Sequence, residues 1–175
     1  MAEILDVRDA VNYEGQAAVE LEQLADPGER SAYPARVAGA GAGGGEPLRL
    51  AGSDLVRAVV EDLEAGVAPP LVAARFHNGL AEATVAACRA LRDATGLDAV
   101  ALSGGVFQNL LLLERTVAGL ERAGFRVLVH SRVPPNDGGI GLGQAAVAGA
   151  RLRARASPTP AHHPHPADAG PLPGG

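Results

Sequence analysis

Two glycine pairs are the features of this sequence best suited to bind a ligand. The first pair, Gly104-Gly105, follows an apolar run at residues 99–102. Glycine permits a tight turn and lets a ligand come close to the backbone. The helix predicted from Val106 onward would present free N–H groups and its positive dipole end to an anion or a nucleotide. Such a glycine pair also occurs for packing alone, so it leaves ligand binding open.

The second glycine pair, Gly138-Gly139, follows the short polar residues Asn136 and Asp137. Polar residues at the carboxyl end of a parallel strand lie where open α/β sheets bind their ligands. The Asp137 carboxylate is suited to a divalent metal ion, because hard oxygen ligands match metal–phosphate chemistry. It is equally suited to capping the helix that follows. Spacing alone leaves both interpretations open.

The elements that position both motifs form a predicted β-α-β unit. Residues 99–102 are continuously apolar, which is typical of a parallel strand covered on both faces. Phe125, Val127 and Val129 occupy every second position, alternating with Arg126, Leu128 and His130, which predicts a second strand. Between them, helical spacing appears at Leu110, Leu113, Val117 and Leu120. Two strands joined by one helix within about 30 residues should be parallel, so the predicted fold class is α/β.

Three helices are predicted before this unit. The first covers residues 17–24, and the second begins at Ser53 and Asp54, which are expected to cap it. The third begins at two prolines, runs to about Ala94 and is closed by a glycine. Between the first two helices we expect a loop, with a poor hairpin whose Gly- and Ala-rich tip covers residues 39–45.

The third helix carries His77 and Asn78, whose roles the sequence leaves open. A lone histidine on a helix is more often packed or hydrogen-bonded internally than part of a site. Cys88 is expected in the core, since no His or Lys lies at a spacing that would activate its thiol.

Composition excludes several classes of protein. The 175 residues suffice for one ordinary domain, and the 15 Lys and Arg residues are dispersed in a chain of net charge −5, which does not predict a nucleic-acid surface. The single cysteine cannot form an internal disulfide. No apolar run reaches the roughly 18 residues of a membrane span, and the acidic N-terminus lacks a signal-peptide layout. We therefore expect a cytoplasmic protein that binds neither membrane nor nucleic acid.

Two regions are expected along the chain. Residues 1–155 should form the folded part. Residues 156–175 are rich in Pro, Ala, His and Gly and should be a disordered tail. Its histidines could bind a stray metal ion, although an incidental low-complexity segment explains them as well.

Four motifs in series resemble one known family. They are Tyr13-Glu-Gly-Gln-Ala-Ala18, Ala74-Arg-Phe-His-Asn78, Leu102-Ser-Gly-Gly-Val-Phe-Gln-Asn109, and Val133-Pro-Pro-Asn-Asp-Gly-Gly-Ile140 with Leu142-Gly-Gln144. Together they resemble the C-terminal end of the carbamoyltransferase HypF family, which matures nickel–iron hydrogenases. The resemblance implies part of an actin/Hsp70/sugar-kinase-like (ASKHA) fold, related to tRNA threonylcarbamoyl-transferring enzymes.

The resemblance also implies a reaction. Family proteins make carbamoyl-adenylate from carbamoyl phosphate and ATP, and their C-terminal region passes the carbamoyl group to the C-terminal cysteine of HypE. The resulting thiocarbamate becomes the cyanide ligand of the hydrogenase iron. Gly104 and Gly105 match the nucleotide-contacting turn of the family, Asn109 matches a nucleoside-contacting residue, and Asp137 matches a ligand of a divalent metal of unknown identity. That metal would offset phosphate charge.

Other family regions would be needed to complete such an enzyme. The chain begins after the family's His-x-x-x-His metal motif and after its acylphosphatase, zinc-finger and YrdC-like regions. We therefore expect carbamoyl transfer only with those regions supplied in cis or in trans. The alternative is a non-catalytic truncated remnant or interaction module with the same fold.

Overall fold

The computed structural model describes residues 1–39 and 47–156. Most of the predicted hairpin tip, and residues 157–175 of the predicted tail, lie outside these ranges. The helices are α1 (Gln16–Leu24), α2 (Gly52–Glu64), α3 (Pro69–Thr95), α4 (Leu110–Arg122) and α5 (Ile140–Ala156). The strands are β1 (Val37–Ala38), β2 (Arg49–Leu50), β3 (Ala99–Ala101) and β4 (Arg126–Leu128). Among these helices, none is long and apolar enough to cross a membrane.

The chain divides into two compact units, Met1–Gly138 and Gly139–Gly175. The first unit holds α1 to α4 and all four strands. In the second unit, α5 is rich in small residues, and its larger apolar side chains are exposed: Ile140, Leu142, Val147 and Leu152.

The predicted β-α-β unit is confirmed. Strands β3 and β4 are parallel, with Val100 opposite Val127. The expectation that β3 is covered on both faces is wrong, because Ala99 and Ala101 are exposed. The described sheet has two strands, and its Val100–Val127 side packs on a core made by α3, α4 and Phe125.

Two apolar clusters stabilise the first unit. The larger one joins α1, α2 and α3 with the chain before and between them, and its members are Leu5, Leu21, Ala25, Tyr33, Leu55, Val59, Val72, Ala73 and Ala74. The smaller one joins α3 and α4 to the parallel sheet through Val85, Leu102, Leu120 and Phe125, with the half-buried Cys88 packed against it as predicted. Gly119 lets the two helices approach closely, since a Cβ there would lie 2.8 Å from Val85 Cγ2.

The helix boundaries agree in part with the sequence. Helix α3 begins at Pro69 and ends before Gly96, whose φ of +73° is the left-handed conformation that closes a helix. The predicted cap of α2 is wrong: its N-cap is Ala51, without a side-chain hydrogen bond. Asp54 instead accepts a hydrogen bond from Arg36 Nε at 2.8 Å. That guanidinium lowers the pKa of Asp54 to about 2.

Candidate functional site

The first glycine pair forms a turn at the carboxyl end of β3. Gly104 has φ +100° and ψ 158°, a conformation that side chains other than glycine rarely adopt. Gly105 then begins a single 3-10 turn, Gly105–Gln108. The α-helix starts only at Leu110, so the predicted start at Val106 is four residues too early. The reason is Asn109, which is extended and acts as the N-cap of α4.

The first turn of α4 does not offer free N–H groups, contrary to expectation. The Glu22 carboxylate on α1 accepts hydrogen bonds from Leu110 N at 2.7 Å and Leu111 N at 3.2 Å. Asn109 Oδ1 accepts from Leu112 N at 2.8 Å. A carboxylate at a helix N-terminus neutralises the positive end of the dipole. The chain therefore satisfies this helix end internally, and a ligand at the turn would meet the Gly104–Gly105 backbone instead.

The second polar atom of the Asn109 side chain, Nδ2, is held by His77. The His77 ring is 2% exposed, and its Nδ1 lies 2.7 Å from the carbonyl oxygen of Ala73. Because a carbonyl only accepts, Nδ1 carries the proton and Nε2 is left as an acceptor. Asn109 Nδ2 donates to that Nε2 at 2.9 Å. His77 thus orients the predicted nucleoside-contacting residue.

Burial keeps His77 neutral. Desolvation lowers its pKa below the ordinary histidine value, and this outweighs the opposing effects of the Ala73 carbonyl and Glu22. A second ring proton would also remove the acceptor that Asn109 needs. The imidazole is therefore a fixed hydrogen-bonding group in this site, and a poor proton carrier near neutral pH.

The remaining polar residues of the Ala74–Asn78 motif hold the segment that follows α1. Arg75 Nε donates to Glu29 Oε2 at 3.1 Å, and Arg75 Nη1 donates to Asp62 Oδ2 at 2.8 Å. Asn78 Nδ2 donates to the carbonyl oxygens of Glu29 and Ser31 at 3.2 and 2.9 Å. The structure thus gives His77 and Asn78 positioning roles inside the fold.

Gly79 completes this packing, although no sequence pattern pointed to it. A Cβ at Gly79 would lie 2.4 Å from the carbonyl oxygen of Tyr33. The Tyr33 hydroxyl donates to Asp62 Oδ2 at 2.6 Å. Burial and Asp62 together raise the pKa of Tyr33 well above its usual value. Glycine is therefore required for the segment to lie directly on α3.

The second glycine motif lies beside the first. Gly104 N donates to the carbonyl oxygen of Pro135 at 2.8 Å. Asn136 Oδ1 accepts from Gly138 N at 3.2 Å, which shapes the turn. A Cβ placed on Gly105 would approach Asn136 Cβ no closer than 4.0 Å, and one on Gly104 would meet nothing within 4 Å. The two loops thus leave space beside the glycine backbone at the carboxyl end of the sheet.

The predicted metal ligand Asp137 is exposed and begins the 3-10 turn Asp137–Gly139. Across residues 1–39 and 47–156, no three His, Cys, Asp or Glu side chains come together in a group able to hold a metal ion. One exposed carboxylate does not make a metal site. The residues described here therefore do not fit a resident metal, and Asp137 as a metal ligand stays a prediction.

A hydrogen-bonded pair that the sequence analysis missed lies at the same edge. His130 Nε2 and Ser103 Oγ are 2.9 Å apart. Ser103 follows β3 and His130 follows β4, and both are exposed. Each residue comes just after a strand of the parallel pair, and the carboxyl ends of parallel strands lie at the same edge of a sheet. This position in the sequence is the signal from which the pair could have been predicted. The pair can donate a hydrogen bond to an oxygen atom that binds above the turn.

The comparisons with known proteins agree on one family. Residues 1–144 match the family described as carbamoyltransferase, Kae1-like domain, second subdomain. The carbamoyltransferase HypF of Rhodobacter capsulatus is 41% identical over 135 residues, which cover 77% of this chain and 16% of the relative. That of Synechocystis is 31% identical over 153 residues, which cover 82% of this chain and 18% of the relative.

Solved structures show the same fold. A crystal structure of full-length HypF in the phosphate- and nucleotide-bound form superposes with a TM-score of 0.79 at 36% identity, covering 86% of this chain and 19% of that one. T. kodakarensis HypF gives a TM-score of 0.67 at 25% identity, covering 88% and 20%. The predicted α/β fold class is confirmed. The chain spans at most a fifth of the length of these relatives.

Proposed function

Because the chain belongs to the carbamoyltransferase HypF family, as the second subdomain of its Kae1-like domain, we propose that it serves carbamoyl transfer in hydrogenase maturation. In this proposal it works together with the other regions of a HypF protein, supplied in cis or in trans. The donor is carbamoyl-adenylate, and the acceptor is the C-terminal cysteine of a HypE-like protein.

The transfer itself needs a nucleophile and a leaving group. The acceptor thiolate attacks the carbamoyl carbon, the bond from that carbon to the phosphate oxygen breaks, and AMP leaves as a thiocarbamate forms. Cys88 does not act as this nucleophile, since burial raises its pKa and it packs in the core. The contribution of this chain is therefore to hold the adenylate.

The observation that supports this role is the open backbone at Gly104 and Gly105. The turn lies at the carboxyl end of β3, is tied to Pro135 by one backbone hydrogen bond, and has space on its outer side. Glycine backbone of this kind suits close approach by a phosphate or sugar. Asn109 follows at the end of the same turn, oriented by His77.

Titration of the full 175-residue chain with ATP and Mg²⁺ by isothermal calorimetry tests the proposal. We expect binding by the wild type and a loss of about tenfold in affinity for Gly105→Ala, which is about 1.4 kcal/mol. Asp137→Ala tests the predicted metal ligand, and Asp93→Ala removes an exposed carboxylate on α3 as its control. Equal affinity of Asp137→Ala and Asp93→Ala would remove Asp137 from the site.

A second experiment distinguishes the two hypotheses, a segment of an enzyme and a non-catalytic interaction module. The wild-type chain is added to a HypF variant lacking the corresponding region, and the mass of a HypE C-terminal peptide is followed with carbamoyl phosphate and ATP. Carbamoylation that depends on the chain supports the proposal. A folded chain that neither binds ATP nor restores transfer would favour the interaction module.

A further inference from the structure

A basic groove lies on the first unit, away from the glycine turns. It runs between α3 and α4 and encloses about 540 Å³, within the size range of small-molecule sites. Its lining includes four arginines, Arg30, Arg89, Arg115 and Arg122, against one carboxylate, that of Glu82. None of the predicted site residues lines it.

The arginines are arranged without acidic partners. In the described part of the chain, none of the four forms a salt bridge. Arg30 Nη1 and Arg115 Nη2 both donate to the carbonyl oxygen of Pro27, at 2.6 and 3.0 Å. One carbonyl thus holds two guanidinium groups side by side. Converging like charges are unfavourable unless an anion lies between or above them.

A residue that lines the same groove carries a buried acceptor without a partner. Asn78 lines it and is 6% exposed, and its Oδ1 has no hydrogen-bond partner. The Asn78 amide cannot be turned to avoid this, because its Nδ2 already donates to two backbone carbonyls. A buried oxygen without a partner is costly and calls for a donor.

We propose that this groove binds a small organic anion that carries a hydroxyl or amino donor next to a phosphate group. The phosphate is bound by the arginines, and the donor bonds to Asn78 Oδ1, which is closed to solvent in the free groove and which binding must uncover. Sulfate satisfies only the first requirement, because at neutral pH it has charge but no donor. The inference is independent of the proposed carbamoyl transfer, which uses other residues.

The test uses the full chain with ribose 5-phosphate and, separately, with sulfate. We expect ribose 5-phosphate to bind about tenfold more tightly than sulfate, because only it can donate to Asn78. In ¹⁵N NMR spectra it should shift the Asn78 side-chain amide and the Gly119 amide. Shifts confined to Gly104 and Gly105, or equal affinity for both anions, would overturn the proposal.

Variants that replace arginines with neutral glutamines provide the second part of this test. The double variant Arg89→Gln with Arg122→Gln removes two exposed arginines of the groove. Within the described residues neither side chain makes a hydrogen bond, so the variant should fold. Arg49→Gln with Arg126→Gln makes the same charge change on β2 and β4. We expect at least about a tenfold loss for the first pair and less than about twofold for the second. Equal losses would mean that overall charge, not this groove, attracts the anion.

Discussion

Two regions of the first unit use their motif residues differently. We call them the hydrogen-bonded platform and the sheet edge. On the platform, made by α1, α3 and the segment that follows α1, the motif side chains of Arg75, His77 and Asn78 all bind other parts of the fold. At the sheet edge, formed by the turn at Gly104 and the loop at Asp137, the residues are exposed or half-buried.

This contrast shows which motif serves the fold and which is free to meet a ligand. A side chain whose donors and acceptors are already satisfied gains little from binding something else, and this holds for Arg75 and His77. Asn78 differs from them, because its Oδ1 has no hydrogen-bond partner. At the edge, the N–H and C=O of Gly104 are bonded within the fold, so a ligand would meet the exposed Gly105. Substitutions on the platform should therefore act on stability, and substitutions at the edge on binding.

The largest loss of stability should come from Gly79→Ala on the platform. Its Cβ would lie 2.4 Å from the Tyr33 carbonyl oxygen and 2.9 Å from Leu55 Cδ2, so we expect a loss of about 3 kcal/mol in urea unfolding. Gly52→Ala is the control, because no atom lies within 4 Å of its Cβ position. It should change stability by less than about 1 kcal/mol. Similar midpoints for both variants would contradict the platform packing.

Next in size is His77→Leu. The substitution leaves Asn109 Nδ2 without its acceptor and the Ala73 carbonyl without its donor, so stability should fall by about 2 kcal/mol. His130→Leu removes a histidine from the exposed edge and should cost less than about 0.5 kcal/mol. Urea unfolding of both variants measures the difference, and equal losses would remove the distinction between the two regions.

Within the edge itself, Gly104→Ala and Gly105→Ala should differ. At φ +100° a side chain is strained, so Gly104→Ala should cost about 1 to 2 kcal/mol by thermal unfolding. Gly105 has no positive φ, and a Cβ there would make only ordinary contacts, the nearest with Gln108 Oε1 at 3.9 Å. Its alanine variant should therefore cost less than about 0.5 kcal/mol. A Gly105→Ala variant as unstable as Gly104→Ala would show that the edge also serves the fold.

The smallest effect should be a dependence of stability on pH. The folded chain lowers the pKa of His77, so the unfolded state binds more protons. Stability should therefore fall as pH drops below about 6.5, the ordinary histidine pKa. Folding lowers the pKa of Asp54 and of Glu29 to about 2, whereas unfolded Asp and Glu titrate at about 3.9 and 4.3. The stability that these two carboxyls contribute is therefore lost mainly below pH 5. His77→Leu should flatten the slope of the urea midpoint over this interval, and an unchanged slope would contradict a buried neutral ring.

Structural features that depend on residues close together in the chain could be predicted from the sequence. The start of α3 at two prolines, its end at Gly96 and the parallel β-α-β unit follow from local patterns. Asn109 also carried a local signal, since Asn is a favoured N-cap. The bond from Leu110 N to Glu22 joins residues 88 positions apart, and the pairing of Asp54 with Arg36 is likewise distant. No local pattern contains such pairs, so the free helix end was predicted wrongly.

The Glu22 carboxylate also bears on the order in which the chain acquires its structure. The first turn of α4 is completed by a residue of α1, with the whole of α2 and α3 between them in the chain. Contacts across so long a loop form late, because closing the loop is entropically costly before the contact can stabilise it. The hydrogen bonds that complete the end of the glycine turn therefore require α1 to be docked. During synthesis α1 leaves the ribosome before α4, so the bond to Glu22 can form only once α4 has emerged.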